Sequence, residues 1–456
     1  MKRALAVLAV AFLRAADALA GVGAWTTSGP PGGNDSVLTD PNESGVLYGG
    51  STTGVFKSMD NGAAWAPTGL TGFPASPIAV GAPGTVYAEN LTVGFHGYFV
   101  TIYKTTDGGA HWDTLRVTVF EQGGSVRLAV DPFAPNTLYL LRVEKLPNVD
   151  AVGGDFSRSS DGGATWTSIA PGQLPVSAFA LDPRIPGSLY ATAVTGSAFP
   201  ATAGAMYETA DGGSSWTPRG RGPQGAVGAL VVDPFSHATL YATVFPSLIL
   251  GAATGAFRSD DGGGTFRAIS AAYPNQVVPD PTRPNRLYLA TWTEGVQSST
   301  DGGSTWSPMN AGLPTLSIES LALDATSGFL HAAAGLAVYD LQVGALTLDA
   351  SHPFTITLAA TDQRTGRTGP GVATAVNDLW GYFSLPAITN DPSNPEVFVK
   401  ILDGTGINGR YWFFYGGLTD LEYTLTVRED ATGLTKTYTK PAGSECGGSD
   451  TAAFEP

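Results

Sequence analysis

An eight-residue pattern, Ser/Thr-x-Asp-x-Gly-x-x-Trp/Phe, recurs six times in this chain and limits its fold more than any other feature. The copies are Ser58/Asp60/Gly62/Trp65, Thr105/Asp107/Gly109/Trp112, Ser159/Asp161/Gly163/Trp166, Thr209/Asp211/Gly213/Trp216, Ser259/Asp261/Gly263/Phe266 and Ser299/Asp301/Gly303/Trp306. Each residue type has a mechanical reason. The carboxylate accepts backbone N–H bonds two or three residues on, and Gly tolerates φ > 0, so the pair closes a tight hairpin. The hydroxyl adds a local bond across the turn, and the aromatic residue opens the next strand with a large apolar side chain to bury.

A second signature precedes each box: an apolar strand ending in Asp-Pro, then Leu-Tyr. It reads Asp40-Pro41 with Leu47-Tyr48, Asp131-Pro132 with Leu138-Tyr139, Asp182-Pro183 with Leu189-Tyr190, Asp233-Pro234 with Leu240-Tyr241, and Asp280-Pro281 with Leu287-Tyr288. Variants end in Val86-Tyr87 and, after Asp324, in Leu330-His331, which makes seven units rather than six. Successive box aspartates lie 47, 54, 50, 50 and 40 residues apart, the period of β-propeller blades and too long for helical solenoids. The seventh unit has no box and no fourth strand. Ala24-Trp25-Thr26-Thr27 looks like the segment that follows a box, so the N-terminal strand is expected to complete that unit and close the ring.

The boxes resemble the Asp-box (BNR) repeats of sialidase-like, xyloglucanase-like and photosystem II assembly factor-like propellers, over roughly residues 21–343. The resemblance implies a fold. It also implies that the boxes are structural hairpins opposite any active site, so that no catalytic residue is carried over by them. Sialidases of this kind need three arginines, a Tyr/Glu pair and an Asp acid, with Arg-Ile-Pro before the first box; here that region reads Gly54-Val55-Phe56-Lys57-Ser58, and only Arg127 and Arg142 offer themselves. Xyloglucanase-like enzymes resemble two propellers in one chain, and this chain holds one. An assembly factor-like role asks for a basic patch, which 24 Lys and Arg against 39 Asp and Glu do not favour.

From about Leu346 the pattern changes to short strands, 354–358, 372–376, 381–385, 396–402, 410–415, 422–427 and 435–439, which suggest an antiparallel sandwich. The expected organisation is therefore all-β: a signal peptide over 1–20, a seven-bladed β-propeller over 21–345 and a C-terminal β-sandwich over 346–456. Met1-Lys2-Arg3, the apolar run Ala4 to Leu13 and Ala18-Leu19-Ala20 supply the leader, which points to a secreted or periplasmic protein. That run is too short to span a bilayer. Cys446 is the one cysteine, so no internal disulfide holds the fold.

A net charge of −15 argues against nucleic acid as partner. The five histidines have neither the spacing nor the cysteine partners of a zinc site, so no metal or other cofactor is expected. No feature specifies an oligomeric state.

With four strands per blade, the connections between second and third strands share one face. They are short in units one and six but long in units two to five, over 89–99, 142–154, 193–204 and 245–255, which predicts a wall beside a low rim. His96, Tyr98, Arg142, Trp292 and Glu294 are the candidate ligand-binding residues, since aromatic rings with charged groups suit sugars. Phe199, Leu248, Ile249 and Leu250 also fall there. Two readings follow. One is a non-catalytic protein that binds a glycan or an extracellular protein on this face. The other is a glycoside hydrolase using carboxylates from Glu144, Asp150, Asp155 and Glu294, which requires two acids about 5–10 Å apart facing each other across a cleft.

Overall fold

Each box closes its hairpin through a repeated set of hydrogen bonds in the computed structural model, which describes residues 21, 22, 25–30, 36–94, 97–121, 124–145, 152–195, 203–223, 225–245, 254–325, 328–335, 337–349, 351, 352, 354–389, 394–429, 431–444 and 447–455. The expected leader, His96, Asp150, Phe199, Leu248, Ile249, Leu250 and Cys446 lie outside the described residues. In the third box, the Ser159 hydroxyl donates to Asp161 Oδ1 at 2.7 Å and accepts the Gly163 N–H at 2.9 Å. Asp161 Oδ1 accepts the Thr165 N–H at 2.9 Å, and Oδ2 accepts the Thr165 hydroxyl at 2.6 Å. The carboxylate thus reaches four residues on, further than expected, because Gly162 and Gly163, at φ +74° and +100°, coil the chain back over it. Asp211, Asp261 and Asp301 repeat the set; at Asp107 the second arm is His111 Nδ1, and at Asp60 it is missing because position 64 is alanine.

These bonds favour the ionised carboxylates. Asp261 is held down at about 2, chiefly by the Thr265 N–H, and Asp301 at about 2, chiefly by the Thr305 hydroxyl. Asp161, Asp211 and Asp107 are lowered too, the first two chiefly by the hydroxyls of Thr165 and Ser215 and the third by the His111 N–H. A folded value below the unfolded one, about 3.9, means stability that is complete above pH 4 and lost as pH falls through the folded value. Melting temperature is therefore expected to fall between about pH 4 and pH 2, and less steeply in Asp261→Asn; a flat profile over that range contradicts the box as a charged clamp.

Six antiparallel sheets occupy 37–71, 76–120, 124–168, 176–221, 226–270 and 274–308, each of four strands except the third, where the short Val152–Gly153 adds a fifth, and a seventh begins at Ser320. In most neighbouring blades the first strands touch one another, so they line the axis. The Leu-Tyr tyrosines are pegs between blades. Tyr48, Tyr87, Tyr139, Tyr190, Tyr241 and Tyr288 are fully buried, each in a cluster shared with the following blade; Tyr241, for example, packs with Ile269 of its own blade and Val277, Leu287 and Leu289 of the next. The box aromatics pack the opposite way. Trp65, Trp112, Trp166, Trp216, Phe266 and Trp306 each join the cluster at the seam with the preceding blade.

Ring closure follows the same rule. Thr26–Ser28 pairs antiparallel with Ala337–Gln342 and supplies the fourth strand of the seventh blade, while Gly21–Val22 adds a short parallel pair beside it. Trp25, 4% exposed, occupies the seam between blades 6 and 7 with Tyr288, Ile318 and Leu330. Its indole N–H donates to the Met309 carbonyl, as Trp216 donates to Ile169 and Trp306 to Ile269. Trp25 is thus the seventh box aromatic, delivered from the other end of the chain. Across the remaining seam the Gly45 N–H donates to Asp324 Oδ2 at 2.8 Å, and buried His331, which stands where the other blades carry tyrosine, holds Asp340 at 2.6 Å.

The C-terminal part is a sandwich of two antiparallel sheets. One holds Leu346–Leu348, Phe354–Thr361, Thr368–Pro370, Glu422–Glu429 and Thr435–Lys440; the other holds Val372–Ala375, Trp380–Ser384, Val397–Gly404, Arg410–Gly417 and Gly448–Phe454. Phe354, Phe383, Val399, Phe413 and Leu425 pack between them. Three of these strands, 346–348, 368–370 and 448–454, go beyond the seven expected. The last reads as a Gly/Ser-rich tail, yet it pairs with Tyr411–Tyr415 and buries Ala453 and Phe454.

Candidate functional site

In each of the first six blades the box turn bonds the hairpin that joins the first two strands. Asn61 N–H donates to Gly45 O, Gly108 to Gly84, Gly162 to Asn136, Gly212 to Gly187, Gly262 to Ala238 and Gly302 to Asn285, all at 2.8–2.9 Å. Both signatures therefore share one face, and the connections between second and third strands form the other. That second face differs from expectation in one respect. In blade 2 the expected loop is an extended hairpin, in which Val86–Gly94 pairs with Gly97–Thr105 as far as Gly94 opposite Gly97. Alternating β-branched and aromatic residues on both arms, with glycines at the tip, carry the ladder outward.

Blade 3 supplies the charged group on this face. Arg142, on Leu138–Lys145, donates to Glu144 Oε1 at 3.0 Å and lies 3.8 Å from Asp155 Oδ2. Its guanidinium sits 4.8 Å above the Phe120 ring of blade 2. Two of the four candidate acids are thereby gathered on one arginine, side by side within a blade. Glu294 stands three blades away, where its carboxylate accepts from Gln297 Nε2 at 2.6 Å.

The aromatic candidates divide. Tyr98 packs against the buried cluster of Phe120 and Val126, so its ring serves the core instead of an open groove. Trp292, on the short connection of blade 6, is 38% exposed, its backbone fixed by a bond to the Tyr273 carbonyl. Arg127 leaves the face altogether. It lines a hollow of about 450 Å³ among the inner strands of blades 3, 4 and 5, donates to Ser177 O at 3.4 Å, and is pushed down to about 10 by burial. In the sandwich, alternation splits the aromatic run: Tyr411 and Phe413 are buried, while Trp412 and Phe414 face outward.

Sequence reasoning missed Arg116 and Thr118, which line a cleft of about 540 Å³ between blades 2 and 3. The available signal was the spacing of Arg116, Thr118 and Phe120 along one face of the strand after the second box.

No protein-family model matches the chain. A xyloglucanase from a Paenibacillus species is 29% identical over 238 aligned residues, covering 42% of this chain and 22% of that protein. The chain thus spans about a fifth of the length of that relative. Among solved structures, YCF48 from Cyanidioschyzon merolae matches 70% of this chain and 98% of its own at 13% identity, with a TM-score of 0.48. A xyloglucanase from Xanthomonas campestris matches 91% of this chain and 86% of its own at 13% identity, with a TM-score of 0.40. These are propeller proteins, and so is this chain. Likeness at these TM-scores carries no argument, and the propeller rests on the chain's own sheets. Among the described residues no helix is long and apolar enough to cross a membrane, and no group of three or more His, Cys, Asp or Glu is arranged to hold a metal ion.

Proposed function

We propose that this chain is a non-hydrolytic glycan-binding propeller acting outside the cytoplasm, with its ligand on the face built by the connections between second and third strands. The observation that carries the reading is the fate of the carboxylates. Glu144 and Asp155 are held by the same arginine, and Glu294 is held by Gln297 in blade 6. Glycoside hydrolysis needs two acids facing each other across the bond to be cut. Trp292, half-exposed on the low rim, offers a ring for the apolar face of a pyranose. The leader-like residues 1–20 support secretion.

The partial match to a xyloglucanase favours a β-glucan as ligand, and it also sustains hydrolysis as the second reading. Titration of the full chain with xyloglucan tests the first. Saturable binding is expected, weakened about fivefold to tenfold in Trp292→Ala, the loss of one stacking contact. Equal affinity in the variant, or no binding, removes the reading.

A further inference from the structure

We propose that the cleft between blades 2 and 3 is a second binding site, built for a uronic acid: its carboxylate against Arg116 and the Nε–H of Arg142, its hydroxyls against Thr118, Ser157 and Ser168. The cleft exists because adjacent outer strands differ in length. The fourth strand of blade 2, Asp113–Phe120, has eight residues, whereas that of blade 3, Thr167–Ser168, has two. The long strand stands as a wall, and the short one leaves the third strand of blade 3, Phe156–Ser159, uncovered beside it. The resulting volume, about 540 Å³, lies within the range of small-ligand pockets.

Two polar atoms of its lining lack partners among the described residues. Thr118 is only 8% exposed, yet among the described residues its hydroxyl finds no hydrogen-bond partner, and neither does the buried Arg142 Nε. Buried donors are left open at a cost that a structure tolerates where something else completes them. Arg116 rests on the Trp166 ring at 5.4 Å, and among the described residues no carboxylate lies within 4.0 Å of it. Arg142 is shared by Glu144 and Asp155, so Arg116 is the cation of the lining left to meet an anion. An oxygen-rich anion suits these groups.

The same lining selects among anions. Asp155 lies at the mouth, 79% exposed, and Glu144 lies behind Arg142, so a doubly charged phosphate meets more repulsion than a single carboxylate does. Acetate would leave most of the volume and the hydroxyls unused. A sugar acid has the size, one negative charge and a ring of hydroxyls. The cleft shares Arg142 with the proposed glycan face but not Trp292, so the two readings fail separately.

Titration of the full chain with glucuronate at low salt tests the site, with glucose, acetate and phosphate as parallel arms. Glucuronate is expected to bind at least about tenfold more tightly than any of the three. Arg116→Gln is expected to weaken it about tenfold while leaving xyloglucan binding unchanged. Thr118→Val, nearly isosteric and free of the orphan hydroxyl, is expected to hold or raise the melting temperature while weakening glucuronate about threefold. That separation distinguishes a ligand contact from a structural role and stands even if Arg116→Gln fails to fold. Glucuronate binding no tighter than glucose, or undiminished in Thr118→Val, overturns the proposal.

Discussion

Deleting residues 21–27 lowers the melting temperature by about 5–15 °C, more than any single substitution elsewhere on the surface. The segment precedes the repeats, yet it supplies the outer strand of blade 7 and fills the seam between blades 6 and 7 with Trp25. Its removal opens a cavity the size of an indole, strips the Met309 carbonyl of its donor and exposes the edge of Ala337–Gln342. Trp25→Ala alone is expected to cost about 3–5 kcal/mol. Thermal melting of both variants beside the intact chain checks this; unchanged melting would mean that the ring does not depend on its leading strand.

Tyr241→Ala gives the other large effect, again about 3–5 kcal/mol, because the ring is a fully buried peg between blades 5 and 6. Tyr241→Phe separates packing from polarity. The hydroxyl donates to Asp233 Oδ2 at 3.0 Å, and Asp233 Oδ1 accepts the backbone N–H groups of Phe235 and Ser236. The Leu-Tyr and Asp-Pro signatures are therefore coupled within one blade. Removing only the hydroxyl is expected to cost about 1–2 kcal/mol by leaving one carboxylate oxygen unpaired. Denaturant unfolding of both variants measures the difference; a Tyr241→Phe variant as stable as the intact chain would show that the bond contributes nothing beyond the ring.

The propeller was legible in the sequence because its rules are local. A box needs Asp, Gly and a hydroxyl within a few residues, and even the box-like look of Trp25 identified the strand that closes the ring. The roles of the tyrosines and box aromatics as forward and backward pegs were not legible, since they rest on contacts between units some fifty residues apart. The strand Gly448–Phe454 was hidden by a composition that suits a tail, and only its partner Arg410–Gly417 makes it a strand. On the candidate face, spacing brought Arg142, Glu144 and Asp155 to one blade. It gave no sign that Tyr98 turns into the core, or that Arg116 and Thr118 face a cleft created by the shortness of the neighbouring blade's last strand.

The pairing of Arg142 with both neighbouring acids is what most separates a binding protein from a hydrolase. The direct measurement is reducing-end release from xyloglucan by the purified chain, run beside a binding isotherm under the same conditions. The account predicts saturable binding with no new reducing ends above the protein-free control. Release that disappears in Glu144→Gln or Asp155→Asn would contradict it.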